Sequence, residues 1–150
     1  NYYHFFTKNR KHYIKKIVSN DKNNKEITIP KILKKHEKVF LKIDIEGDEY
    51  RIIDKLKFFK KMTGFIIEFH NIDLHYKKIL NFLNKNKNFK VVHVSPNNMG
   101  GINENNEPLV VEITFINTKI YKDFKKTKSS FINRSKLDFL NDPKKKKIIL

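Results

Sequence analysis

Acids, imidazoles and amides in this chain collect where apolar runs stop. "FLKIDIEGDEYRIID", residues 40–54, carries Asp44, Glu46, Asp48 and Glu49 around Gly47. "GFIIEFH" ends in Glu68 and His70, and "FKVVHVSPNN" ends near His93, Ser95, Asn97 and Asn98. An imidazole is suited to taking a proton from a hydroxyl near neutral pH, which makes His70 a candidate general base. Asp44 and Glu46 share parity and point to one side if the strand runs that far. Asn97 and Asn98 offer amides for hydrogen-bonding a polar substrate. The Asp, Glu and His set also admits a divalent ion such as magnesium or manganese, but the spacing does not demand one and no ligand is assigned.

Each of these residues also has a structural use to weigh against the chemical one. Asp48 and Glu49 stand where a helix begins, and carboxylates complement the positive end of its dipole. Asp44 is less easily explained that way, because it still reads as part of the strand. Glu68 lies in an apolar strand, where a carboxylate is costly without a partner. That partner is either a lysine, a backbone amide of the next helix, or the reaction itself. His75 reads as a surface or capping residue, Asp73 as a cap, and His93 as a structural strand histidine. An "NNMGG" turn uses Asn97 and Asn98 for backbone reasons alone.

The elements that must position these groups follow from periodicity. "KVFLKID" reads as a strand, and Ile52, Ile53, Leu56 and Phe59 mark one stripe of the helix after Gly47. "TGFIIEFH" is a second strand. "NIDLHYKKILNFLNKN" is a second helix, with Tyr76, Ile79, Leu80 and Leu83 facing inward. "FKVVHV" and "LVVEITFI" are the third and fourth strands, joined by a Pro- and Gly-containing loop without a helix. Earlier, Pro30 opens a short helix with Ile32 and Leu33 as its apolar face. The alternation predicts an α/β fold with parallel strands, helical crossovers and a last strand antiparallel to the third. In such sheets ligands bind beyond the carboxyl ends of the strands, where these polar residues lie. Residues 1–26 are poorly patterned, 27–120 form the α/β portion, and 121–150 are a lysine-rich extension.

Composition narrows the function classes. The chain has 150 residues, 33 Lys and Arg against 16 Asp and Glu, and a net charge of +17. Such a balance raises a basic nucleic-acid or anionic-surface binding module as the alternative function. The excess is scattered lysine, however, without the arginine and aromatic interleaving of a base-reading surface. Absence of cysteine excludes disulfides, thiolate metal sites and cysteine nucleophiles. No apolar run nears the roughly 18 residues of a membrane span, and a cytoplasmic setting is the expectation.

"LKIDIEGDEYRIID" resembles the "LKIDVEGaE" signature of FkbM-like S-adenosylmethionine-dependent methyltransferases. "GFIIEFHNIDLH", "VVHVSPNNMGGI" and "PLVVEITF" are similar to later blocks of that family, in the same order. "LDFLNDPKKKKIIL" resembles the tail of a subgroup tied to surface-polysaccharide gene clusters. The resemblance implies part of a Rossmann-like methyltransferase sheet, in which "LKID" is the fourth strand. It further implies transfer of a methyl group from S-adenosylmethionine to a hydroxyl, often of a sugar, as in a polysaccharide precursor. Asp44 and Glu46 would lie beside the methyl donor and take part in catalysis. Glu68 and His70 would line the acceptor side, with His70 or one of the acids as base. The family's glycine-rich donor-binding turn has no counterpart before Gly47, so the chain reads as the C-terminal portion of a longer enzyme or an inactive truncated remnant.

Overall fold

The computed structural model describes residues 16–17, 26–54, 61–123 and 139–148. Two compact units divide the chain, Asn1–Glu37 and Lys38–Leu150. In the first, β1 (Lys16–Ile17) pairs in parallel with β2 (Glu26–Ile27). There α1 (Ile29–Lys35) begins with Pro30 in its first turn, where a missing N–H costs nothing. Leu33 is its buried residue, and Lys34 and Lys35 face the negative end of its dipole. The aromatic-rich stretch 1–15 lies outside the described residues.

The second unit contains β3 (Val39–Ile43), α2 (Glu49–Ile53), β4 (Met62–His70), α3 (Ile72–Lys85), β5 (Phe89–Pro96) and β6 (Val110–Asn117). Its sheet has the order β3-β4-β6-β5. Strands β3 and β4 are parallel, whereas β6 is antiparallel to both β4 and β5. The expected antiparallel return of the last strand is present. Strands β3, β4 and β5 run in one direction, but only β3 and β4 are neighbours, because β6 enters between β4 and β5. The crossover through α3 leaves one strand position open, and the loop after β5 lets β6 come back to fill it. Paired on both sides, β4 is apolar and buried over most of its length.

One face of this sheet forms the core. Phe65 stacks on Phe115 at 4.5 Å and meets Phe89 at 4.9 Å, while Phe82 of α3 packs edge-on against Phe65 and Phe115. Such ring pairs favour offset and edge geometries. Ile79 and Phe82 are the buried residues of α3, and His75 is half-buried on the same line. Tyr76 and Leu80, expected to face inward, are exposed. The large ring of Phe82 sits over the sheet and sets the helix face, so the inward line is 75-79-82. In α2 Ile53 is buried and Ile52 half-buried, while Leu56 and Phe59 lie outside the described residues.

The other face is polar where β4 and β6 meet. Register places Glu68 opposite Glu112, and Glu112 opposite Ser95. Strand β3 stops at Ile43, so Asp44 belongs to the turn that follows and not to the strand as expected. Among the described residues, no helix is long and apolar enough to cross a membrane.

Candidate active site

Beyond Ile43 the chain reverses through two residues with positive φ, Glu46 at +53° and Gly47 at +103°. A left-handed glutamate costs of order 1 kcal/mol, so something must hold it. The Glu49 carboxylate does so. Its Oε1 accepts the backbone N–H groups of Ile45 at 3.3 Å and Gly47 at 3.2 Å. The same oxygen lies 2.7 Å from Nδ1 of His70, and the Glu49 side chain is wholly buried. Because Oε1 is already the acceptor of two amides, Nδ1 is the ring nitrogen that carries hydrogen. Nε2 is left facing the acids beyond β3.

A second bond fixes the end of β4. The Tyr50 hydroxyl donates to the His70 carbonyl at 2.6 Å, and its ring packs on His75 at 4.0 Å. Burial, reinforced by the Glu49 and Asp73 charges, pushes the Tyr50 phenol well above its ordinary value. It is therefore a neutral donor at physiological pH. His75, expected at the surface or in a cap, is instead half-buried against this ring.

His70 Nε2 lies 3.4 Å from Glu46 Oε2 and 3.9 Å from Glu68 Oε1. One donor atom each from Asp44, Glu46 and His70 falls within 4.8 Å of the others. Asn97 Nδ2 donates to Glu68 Oε1 at 2.6 Å, which supplies the partner that a nearly buried carboxylate requires. Lys42 donates to Glu112 at 2.6 Å and stands 3.8 Å from Asp44. Burial alone would lower the Lys42 ammonium. The Glu112 hydrogen bond and charge, with Asp44 and Glu68 behind it, hold it above its ordinary value instead. Next to Glu68 a polar concavity of about 160 Å³ opens between His93, Ser95, Asn97, Glu112 and the exposed ring of Phe139.

The fold thus brings together Asp44, Glu46, Glu68, His70 and Asn97. It places Asn98 elsewhere. Asn98 is buried, donates to the carbonyls of Asp142 and Lys145, and accepts from the Asp142 amide. Its amide groups clasp the segment 139–148. Two residues escaped the sequence reading. Glu49 was assigned to the helix dipole, although it closes the "LKIDIEGDE" motif two residues after the glycine. Glu112 stands in an apolar strand as Glu68 does, and that shared oddity was the available signal.

Fold and site define an α/β domain with a carboxylate–imidazole cluster at the carboxyl ends of two adjacent parallel strands. Residues 2–91 match the model of the methyltransferase FkbM domain, and the chain belongs to that family. The matched range takes in the β3 turn and the end of β4, while the β6 side of the concavity lies outside it. No curated protein and no solved structure matches the chain.

Proposed function

We propose that this chain is a portion of an S-adenosylmethionine-dependent O-methyltransferase acting on a hydroxyl of a sugar or polysaccharide precursor. The observation that carries this reading is the Glu49–His70 pair, which aims Nε2 at Asp44 and Glu46 beyond the parallel strands β3 and β4. The strand order β3-β4-β6-β5 suits one side of a Rossmann-like sheet with β3 as its fourth strand.

Asp44 and Glu46 suit a sulfonium cation, since both carboxylates reach solvent, at 37% and 86% exposure. S-adenosylmethionine, when bound, supplies a methyl group made electrophilic by the positive sulfur. Glu49 holds the imidazole in one tautomer and orientation. A base at this cluster, His70 or one of the acids with Glu68 among them, takes the proton of the acceptor hydroxyl. Glu68 and Asn97, already bonded to each other, offer their remaining oxygen and hydrogen to a neighbouring hydroxyl. Fixing the hydroxyl against this cluster supplies acceleration by orientation as well as by proton transfer. Ser95, His93 and Glu112 widen the polar concavity for the rest of a hydroxyl-rich acceptor, and Phe139 offers it an apolar face.

Calorimetric titration with S-adenosylmethionine and transfer of labelled methyl to polysaccharide precursors test this. Asp44→Asn and His70→Ala are expected to lower transfer by about 100-fold or more with the circular dichroism spectrum retained. Equal transfer by both variants and the parent chain would remove the cluster from the reaction.

A further inference from the structure

His70 has one ring nitrogen accounted for and one not. Nδ1 faces the buried Glu49 carboxylate, which leaves Nε2 as the nitrogen turned toward the acids beyond β3. Nε2 lies 3.4 Å from Glu46 Oε2 and 3.9 Å from Glu68 Oε1, with Asp44 in the same cluster. Carboxylate oxygens gathered around one ring nitrogen call for a positive charge among them, a metal ion or a proton. Lys42 pairs with Asp44 at 3.8 Å and hydrogen-bonds Glu112, and among the described residues no ion pair joins it to Glu46 or His70. We propose that Asp44, Glu46 and His70 bind a divalent transition-metal cation, through His70 Nε2 and one oxygen of each carboxylate.

The spacing suits one shared ion. Ligand atoms about 2.0–2.2 Å from a metal stand roughly 3–4.5 Å apart, and these three sets lie within 4.8 Å of one another. An independent sign is Glu49. Ligating histidines regularly give their other N–H to a carboxylate, which fixes the ring and makes the ligand nitrogen more basic. Glu49 does this from full burial, and its Oε2 has no hydrogen-bond partner among the described residues. A buried, under-compensated anion on one side of the ring favours a cation on the other. One imidazole and two carboxylates make a donor set suited to manganese, iron or zinc. The exposure of Glu46 leaves coordination positions open toward solvent, where oxygen atoms of a hydroxylated molecule can complete the shell. The inference stands on this geometry and not on methyl transfer. The competing occupant of the gap is a proton on Nε2, donated to Glu46.

Titration of the 150-residue chain with Mn²⁺, followed by the electron paramagnetic resonance signal of the free ion, decides between them. One ion per chain is expected to bind with saturation below about 1 mM, as an inner-shell site with an oriented histidine should. Asp44→Asn, Glu46→Gln and His70→Gln are each expected to weaken binding at least tenfold. Glu49→Gln is expected to weaken it by about 10-fold or more through the imidazole. Glu104→Gln, in an exposed loop away from the cluster, is expected to bind as the parent does. Circular dichroism reports folding, and Glu46 is exposed enough for its variant to stay folded. Absence of saturable binding to the folded chain overturns the proposal, as does binding that survives all three ligand substitutions. A ¹⁵N spectrum with hydrogen on Nε2, unchanged by Zn²⁺, overturns it in favour of the proton. Ion binding and methyl transfer are separate readouts, so failure of this proposal leaves the methyltransferase reading standing.

Discussion

A fully buried oxygen of Glu49 lies 2.7 Å from Nδ1 of His70, joining the first turn of α2 to the end of β4. The same oxygen holds the amides of Ile45 and Gly47, so one atom ties the left-handed turn to the imidazole. Glu49→Ala removes the shared acceptor of three part-buried hydrogen bonds at once. The expected loss is about 2–4 kcal/mol in urea denaturation, together with loss of methyl transfer. Glu49→Gln keeps the shape and one acceptor oxygen but discards the charge. It is expected to recover more than half of the stability and little of the transfer. Equal recovery of both would reduce Glu49 to a structural peg.

Gly64 sits where Phe40 crosses the sheet. A Cβ there would lie 2.5 Å from the Phe115 carbonyl oxygen and 2.8 Å from the Phe40 ring. The ring can swing aside, because Phe40 is half-exposed, but the backbone oxygen belongs to the β4–β6 ladder and cannot. Gly64→Ala is therefore expected to destabilise by about 1–3 kcal/mol, as overpacking does. The companion Phe40→Ala/Gly64→Ala variant should recover only a minor part. Full recovery in thermal melts would show the ring, and not the carbonyl, to be the obstacle.

Much of this arrangement was legible in the residues. The strands and the long helix follow from apolar periods and from punctuation by Gly64 and the loop around Gly100 and Gly101. The polar ends of those strands named Asp44, Glu46, Glu68, His70 and Asn97, and these do converge. The strand order was not legible, because nothing local in "LVVEITFI" says which neighbours it pairs with. The face of α3 was misjudged in part, because tyrosine at 76 and leucine at 80 fit a helical stripe as well as isoleucine at 79 and phenylalanine at 82 do. Only contact with the Phe65–Phe115 stack separates them. Glu49 was hidden by a sufficient local explanation, the helix dipole, which says nothing about a histidine 21 residues away. Asn98 shows the converse. An amide beside the site is committed to backbone groups more than 40 residues further on.

That commitment has a measurable consequence. Asn98 makes hydrogen bonds to Asp142 through both ends of its amide, at 2.7 and 2.9 Å, and a longer one to Lys145. Asn98→Ala leaves these backbone groups without that partner, at a cost of about 1–3 kcal/mol if they stay buried. The segment is short and its lysines are exposed, so release is the easier response. Trypsin is expected to cut the variant at Lys144–Lys147 several-fold faster than the parent, with the thermal melt of the sheet shifted little. If cleavage rates match, the clasp does not control access to this segment.

Tyr50 gives the fold a pH dependence whose sign can be worked out. Its phenol donates to the His70 carbonyl, and burial with the Glu49 and Asp73 charges raises its proton affinity above that of an exposed tyrosine. Below about pH 10, the phenol is neutral in both folded and unfolded chains, and its contribution to stability is complete. Above that value the unfolded phenol ionises while the folded one keeps its proton. The unfolded state then binds fewer protons, and stability falls by up to about 1.4 kcal/mol per pH unit from this group alone. The other tyrosines and the lysines titrate over the same range, so the parent must be compared with Tyr50→Phe. At pH 7 the variant is expected to be less stable by about 1 kcal/mol, from the lost hydrogen bond and the unpaired carbonyl. As pH rises from 10 to 11 the difference is expected to shrink and then reverse in urea denaturation. A difference that stays constant across this range would mean that the phenol ionises as easily in the folded chain as in the unfolded one.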